Sequence, residues 1–322
     1  MNRALLKKCL RESWWLLAAC FTAIFGFCWL RVWMVSRLDT SRFKAILDLL
    51  PGDWKRFSPV DMEWLVTHTG RISLAWDEPI VVFSVTIWAI ARGSDAVSGE
   101  LNRGTMEMVL AQPVSRWQVL WSQAAVTVSG VVLLAMAAWW GTWVGVQLND
   151  AREEVPPVWH VPIVEIEVPR PWGKSETRFT PMRQKVDPIV FLPATANLCA
   201  LGIFWAGLTT FISACDRYRW RTIGIAVGFY VIELALKLLG MAATEWSWLR
   251  SLSIFTLFEP EACVNVAAAS PMQAWSIRLD HPIGGMTTWG PLGYDLVMIG
   301  LGCLAYQLAA IIFHRRDLPA PL

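Results

Sequence analysis

Six long apolar segments constrain the fold of this chain more than any other feature. Each is long enough to cross a bilayer, which takes about 20 mostly apolar residues in a helix. They are Trp14–Val35, Pro79–Val97, Trp117–Val146, Ile189–Ser213, Ile223–Ala243 and Leu292–Phe313. Only 17% of the 322 residues are charged, against about 25% in soluble domains. The sequence therefore predicts one all-α polytopic membrane domain over residues 1–322, with six transmembrane helices.

Three further features are predicted outside these spans. Residues 1–13 alternate leucine with basic residues, which favours a short interfacial helix, although an unstructured basic tail would have the same composition. Residues 147–188 are rich in proline and include the alternation IVEIEV at Ile163–Val168, so we expect either a small β-element with a short strand or an irregular flap. Residues 244–291 are apolar but broken by Pro260, which favours a re-entrant or interfacial helix pair. We expect both long loops to be extracytoplasmic.

Basic residues near the short segments predict the orientation, because cytoplasmic segments carry an excess of Lys and Arg. Such residues occur in the N-terminal tail, in residues 92–116 and 216–222, and in the C-terminal tail. With six spans, all four segments fall on one side. We expect a multi-pass protein of the cell inner (cytoplasmic) membrane with both termini cytoplasmic. The lipoprotein-like box LAAC at Leu17–Cys20 follows too short an apolar stretch, which favours a retained first span.

Catalytic motifs are absent from the sequence. No P-loop, H-E-x-x-H or G-x-S-x-G pattern occurs, and the four histidines are scattered. None of the seven cysteines forms a C-x-x-C pair or stands at metal-ligand spacing to a histidine. The net charge of +2 also argues against a nucleic-acid partner. We therefore expect a chain that is not an enzyme and holds neither a metal nor a cofactor of its own.

The polar sequence SGELNRGTMEMVLAQPVSRW, residues 98–117, separates the second and third spans. Gly104 is a natural helix terminator, and Thr105 can act as the N-cap of a second short helix. Pro113 forces the chain out of helical geometry and ends that helix. The stretch Ser115–Gln118 has the pattern of a capping box that opens the third span. The sequence thus predicts a helix, a break, a short helix and then a membrane helix.

The charged residues of this segment suggest a surface for a partner. We expect Glu100, Arg103 and Glu107 to be exposed, while Met106 and its apolar neighbours pack inward. A solvated cytoplasmic loop with good caps would show the same local signals. The residues alone leave both interpretations open.

The same segment resembles a motif of permease subunits of ABC-2-type transporters. Their pattern SGE-x-x-x-GT-x-E-x-LL-x-x-P-[VI]-S-R lies between the second and third spans, and the overall topology is similar as well. The resemblance implies that residues 95–116 form a coupling helix docked in a groove of a separate ATP-binding-cassette ATPase subunit. The residues carried over are Glu100, Arg103, Gly104, Thr105, Glu107, Pro113 and Arg116. The chain departs from the pattern at Val109-Leu110, which replaces the usual Leu pair, and at Gln112.

The resemblance also implies partners for the chain. ATP and Mg would be bound by the ATPase subunit, and a second permease copy or a sibling permease would complete the membrane part, surrounded by lipid. The resemblance is closest to exporters, and no loop motif indicates the substrate. The alternative is a membrane-embedded assembly or anchoring factor that binds an extracytoplasmic client without transport.

Two charged residues lie in the fifth predicted span. Glu233 and Lys237 are spaced i,i+4, which places them on one helix face where they can form an ion pair. A charge at the centre of a span costs roughly 2.5–3.5 kcal/mol on insertion scales, so both need partners. We expect a structural ion pair or a site on the transport pathway or helix interface. Asn197 in the fourth span is a further candidate, with helix–helix hydrogen bonding as its default role.

Overall fold

The computed structural model describes residues 3–38, 62–155, 158–161, 166–169, 176–242, 244–283, 286 and 288–316. Six helical segments are long and apolar enough to cross a membrane: Arg3–Arg37, His68–Asn102, Arg116–Leu148, Pro188–Cys215, Arg219–Ala242 and Pro291–Arg315. Each of them overlaps one predicted span. The all-α polytopic fold is therefore confirmed.

The secondary structure consists of helices with a few short strands. The helices are α1 (Arg3–Arg37), α2 (Met62–Val66), α3 (His68–Ser73), α4 (Pro79–Ser94), α5 (Glu100–Asn102), α6 (Met106–Leu110), α7 (Arg116–Leu148), α8 (Leu192–Cys215), α9 (Arg219–Ala242), α10 (Ser247–Arg250), α11 (Pro260–Ala269) and α12 (Pro291–Arg315). Short 3-10 turns cover Leu74–Trp76, Met182–Gln184, Pro188–Phe191, Thr244–Trp246, Ile254–Thr256 and Gln273–Trp275. The strands are β1 (Asp150–Val155), β2 (Val158–Val161), β3 (Ile166–Pro169) and β4 (Glu176–Pro181).

The first helix corrects one predicted boundary. Residues 3–37 form a single α-helix of 35 residues, so the structure has no break between an interfacial helix over 1–13 and the first span. The reason is local, because residues 11–15 contain neither glycine nor proline, the residues that most readily interrupt a helix. The basic N-terminal turns are thus a rigid extension of the first span.

The loop 147–188 contains short strands, and the loop 244–291 contains short helices. Strand β1 pairs with β4 and β2 with β3, both antiparallel. Residues 166–168 of the IVEIEV alternation are in β3, while residues 163–165 lie outside the described part of the chain. In the later loop, α11 packs against α8 and buries most of its residues, so this apolar segment is covered by protein.

Helix α8 lies at the centre of the bundle and is buried along most of its length. It packs most extensively against α12 and α4. A Cβ atom added to Gly207 would collide with the carbonyl oxygen of Gly302 on α12, so the two backbones touch at this crossing. Small residues at such contacts are typical of membrane helix pairs, where close packing replaces the hydrophobic effect.

Replacing Gly207 with leucine should therefore destabilise the bundle. The side chain has no room between α8 and α12, and overpacking of this kind costs about 1–3 kcal/mol. We expect a lower melting temperature in detergent, measured by circular dichroism. The matched control is Gly224→Leu on α9, where an added Cβ has no neighbour within 4 Å. Equal melting temperatures of the two variants would contradict the proposed close contact.

Candidate coupling site

The segment 95–116 lies at the end of the bundle where α1 and α9 begin and α12 ends. Lys8 of α1 contacts Glu100, and Arg219 of α9 lies near Asp95. Arg116 donates hydrogen bonds to carbonyl groups at the end of α12. The segment is thus joined to three spans that are distant from it in sequence.

A π-turn over Asp95–Gly99 connects α4 to this segment. Such turns within helices are frequent at functional sites. The hydroxyl oxygen of Ser213 on α8 accepts hydrogen bonds from the backbone N–H groups of Val97 and Ser98, at 3.2 and 2.8 Å. The hydroxyl oxygen of Ser98 lies 3.0 Å from that of Thr222 on α9. Buried hydroxyl groups therefore fix the turn to two other spans.

The carboxylate of Asp95 is surrounded by arginines. Its Oδ1 lies 2.6 Å from Nη1 of Arg103 and 3.5 Å from Nη1 of Arg219. Its Oδ2 lies 3.4 Å from Nη1 of Arg92, and Nη2 of the same arginine donates to Oε1 of Gln123 on α7 at 2.5 Å. The hydrogen bond to Asp95 raises the pKa of the Arg103 guanidinium above its ordinary value. Because Asp95 and Arg92 are both buried, loss of either charge leaves the other costly to accommodate.

Glu100 occupies a second buried cluster, which corrects the prediction that it is exposed to a partner. Only 2% of its surface is exposed. Its Oε1 lies 2.8 Å from Nζ of Lys8 and 3.4 Å from Nη2 of Arg103, and its other oxygen accepts a hydrogen bond from the hydroxyl of Thr105. Glu100 therefore joins the segment to α1 instead of forming its outer surface.

The break before the short helix is located at Gly104, as predicted. Gly104 has a φ of +69°, a left-handed conformation that glycine adopts readily. Thr105 is at the N-cap position of α6, but its side chain makes no capping hydrogen bond and binds Glu100 instead. The prediction that Thr105 caps this helix is thus correct in position and wrong in contact.

Helix α6 presents a mixed surface to the outside of the bundle. Met106 is buried, as predicted, whereas Met108 is 66% exposed, contrary to the expected inward packing. Glu107 is exposed, and its side chain makes no ion pair or hydrogen bond with any described residue. Arg103 is also exposed, although Asp95 holds its guanidinium. Glu107 and Met108 are therefore the side chains of α6 that a partner can reach.

The end of the segment matches its local sequence signals. Helix α6 ends at Leu110, ahead of Pro113, and the capping box over Ser115–Gln118 is present with both hydrogen bonds at 3.2 Å. Arg116 donates to the backbone oxygens of Phe313 and Arg316, at 3.1 and 2.6 Å. A cation at the C-terminus of α12 satisfies carbonyl groups that have no partner within the helix. Arg116 thus binds another helix of the bundle and is not directed towards a partner protein.

A recess of about 490 Å³ separates α6 from the start of α1. Its lining is mostly apolar, with Lys8 as the charged member; the residues are Ala4, Leu5, Lys8, Thr105, Met108, Val109, Gln112, Pro113 and Val114. The exposed Met108 forms part of its wall. The recess is large enough to accept a side chain that projects from another protein.

A sequence model of the family described as "ABC-2 family transporter protein" matches residues 7–318, nearly the whole chain. The chain belongs to this family. A search of curated proteins found no match. Membership makes the chain a transporter permease, a multi-pass membrane subunit that is not itself catalytic, and it implies an ABC ATPase partner in general terms.

In this ABC-2 family protein, Glu233 and Lys237 do not form the predicted ion pair within the described structure. The buried carboxylate of Glu233 accepts a hydrogen bond from the backbone N–H of Ile254 at 2.7 Å. Lys237 donates to the backbone oxygen of Phe258 at 3.1 Å. Both residues therefore bind the 253–258 loop, which offers backbone groups closer than the partner one helical turn away.

Asn197 has the helix-interface role that was its default prediction. Its amide nitrogen donates to Oδ1 of Asp295 on α12 at 2.8 Å and to the backbone oxygen of Leu257 at 3.0 Å. Its amide oxygen accepts from the backbone N–H of Glu259 at 3.1 Å. One buried amide thus joins α8, α12 and the loop before α11 at the end of the bundle opposite to the segment 95–116.

Several residues of the candidate coupling site were not identified from the sequence. Lys8, Ser213 and Thr222 hold the segment in place, but each lies at the end of a different span. The available signal was that polar side chains occur near the ends of apolar helices, where they meet when the helices pack. Without the helix arrangement, that signal does not say which residues form pairs.

Proposed function

We propose that this chain is the permease subunit of an ATP-driven exporter and that the segment 95–116 couples it to a separate ATPase subunit. ATP and Mg would be bound by that partner. The orientation follows from the basic residues, with both termini and the segment on the cytoplasmic side of the inner membrane. Two permeases, either two copies of this chain or this chain and a sibling, would form the membrane part.

The observation that carries this proposal is the set of contacts that binds the segment to the bundle. A force on α6 is transmitted through Glu100 to α1 and through Asp95 to α4 and α9. Arg116 links the segment to the end of α12 as well, through its hydrogen bond to the backbone oxygen of Arg316. A loop that only connected two spans would not require buried carboxylates paired with basic residues of α1, α4 and α9, because the desolvation of these carboxylates is costly.

The exposed residues of α6 indicate how the ATPase subunit would dock. Glu107 supplies a carboxylate that no described residue pairs with, and Met108 supplies an apolar side chain beside the recess. A complementary surface would place a basic residue near Glu107 and an apolar residue in the recess. Close charge pairs at protein interfaces couple with about 1.5–7 kcal/mol, so Glu107 is the residue at which charge reversal should matter most for docking.

The Glu107→Lys variant tests this proposal. The chain is purified from its native membranes, and the ATP-binding-cassette subunit that accompanies the wild type is quantified. We expect at least a tenfold loss of this subunit, which corresponds to about 1.4 kcal/mol. The matched control is Glu245→Lys, an exposed acidic residue at the opposite end of the bundle. Equal recovery with both variants, or no ATPase subunit with the wild type, would refute the proposal.

A further inference from the structure

A cavity of about 250 Å³ lies between α4 and α9, at the end of the bundle opposite to the segment 95–116. It is formed by the first turn of α4, the last turns of α9 and the loop that leads into α11. The coupling contacts described above do not involve it. Its lining combines aromatic side chains with charged side chains, and each group limits which ligands can bind.

The wall is aromatic. The ring of Tyr230 meets the rings of Phe83 and Phe255 edge to face, with centroids 5.8 and 5.0 Å apart. Phe258 and Leu234 extend this apolar surface. Such rings bind an apolar body, and their faces also attract a positively charged group.

The charged lining is dominated by acids. Glu261, in the first turn of α11, is only 5% exposed, and its carboxylate has no hydrogen-bond or ion-pair partner among the described residues. Glu259 is paired with Arg250, and Asp77 is an exposed residue of the lining. The ammonium group of Lys237 binds the backbone oxygen of Phe258. An ionised carboxylate that is buried without a partner is costly, so a cation bound beside Glu261 would stabilise its charged form.

We propose that this cavity binds an organic ammonium ion, with the charge beside Glu261 and an apolar body against the rings of Phe83, Tyr230 and Phe255. Two kinds of ligand contain such an ammonium group: a soluble amine and a lipid with an amine in its headgroup. Binding to the purified chain needs no ATPase subunit. This proposal and the proposed coupling role can therefore fail independently.

The affinity for such a cation should increase with pH. Burial, together with the charges of Asp77 and Glu259, raises the pKa of Glu261 to about 8, while Lys237 and Arg31 act in the opposite direction. A cation pairs with the ionised carboxylate and displaces its proton. At pH 6 the carboxyl group of Glu261 is therefore mostly protonated and cation binding is weak. As the pH rises through 8, the carboxylate forms and the affinity for the cation increases.

The test uses the full chain in detergent and equilibrium dialysis of radiolabelled benzyltrimethylammonium at pH 6 and pH 9. We expect saturable binding that is at least tenfold tighter at pH 9 and at least tenfold weaker in Glu261→Gln. The exposed Glu245→Gln is the matched control and should bind as the wild type does. Equal binding by Glu261→Gln and the wild type, or equal binding of the anion benzenesulfonate, would overturn the proposal.

A second variant covers the case in which Glu261→Gln does not fold. Asp77→Asn removes an exposed acid from the lining without touching the 253–258 loop, so at pH 9 it should bind the probe more weakly than the wild type does; unchanged or tighter binding contradicts the proposal. Competition then distinguishes the two kinds of ligand. Displacement by phosphatidylethanolamine but not by phosphatidylglycerol assigns the ammonium to a lipid, and displacement by phenylethylamine alone assigns it to a soluble amine. Failure of both competitors to displace the probe would contradict the site.

Discussion

The Asp95→Asn chain is expected to lose about 3–5 kcal/mol of its free energy of unfolding, together with most of its control over the ATPase partner. Arg92 is 4% exposed and lies between Asp95 and Gln123, so the substitution leaves a buried guanidinium without a counter-ion. Removing one member of a buried pair costs about this much. Arg103 and Arg219 are more exposed, so water can replace part of the interaction that they lose with the Asp95 carboxylate.

Chemical denaturation in detergent measures the first effect, and the ATPase rate of the reconstituted complex measures the second. Glu12→Gln is the matched control, because Glu12 pairs with Lys8 at 3.8 Å while both side chains are partly exposed. Such pairs contribute about 0–1 kcal/mol. A loss of stability no larger than that of the control would contradict the assignment of Asp95 as the centre of the cluster.

The Asp95→Asn/Arg92→Met chain separates folding from coupling. Removing both buried charges is often neutral for stability, so the free energy of unfolding should recover. The link from the segment through Asp95 to α4 and α9 stays broken, so control of the ATPase should not recover. If both properties returned, the cluster would serve folding alone.

The spans and the local shape of the segment 95–116 could be predicted because their signals are local. Apolar length determines where a helix can cross a bilayer. The left-handed Gly104 and the capping box over Ser115–Gln118 each depend on residues within one turn. The difference at the start of α1 also has a local cause, because an amphipathic stretch continues directly into the span when nothing interrupts the helix.

The contacts of the charged residues could not be predicted, because they depend on how distant segments pack. Glu100 appeared to be a surface acid, but Lys8, which lies 92 positions earlier, covers it. Glu233 and Lys237 had the spacing of an ion pair, but a loop about 20 residues away supplies backbone groups to both. Spacing along a helix shows which contacts are possible, and the tertiary fold selects among them.

Charge reversal at Glu233 is expected to cause the second large effect, a loss of stability. The Glu233→Lys chain loses the acceptor of the Ile254 N–H, at a cost of about 1–3 kcal/mol. It also buries an ammonium group one helical turn from the ammonium group of Lys237, and the two like charges repel each other. Together these changes should detach the 253–258 loop from α9 and lower the melting temperature in detergent far more than the exposed Glu245→Lys does.

The charge-swapped chain, Glu233→Lys with Lys237→Glu, distinguishes two arrangements of these residues: an ion pair between their side chains, or separate hydrogen bonds to backbone groups of the 253–258 loop. An ion pair between the side chains would be restored by the swap, and the melting temperature would return towards that of the wild type. The structure predicts no recovery, because the two residues bind different backbone groups, an N–H and a carbonyl, and the exchanged side chains have the wrong chemistry for each. Each exchanged charge then faces a backbone dipole of the wrong sign, so the double variant should be at least as unstable as Glu233→Lys.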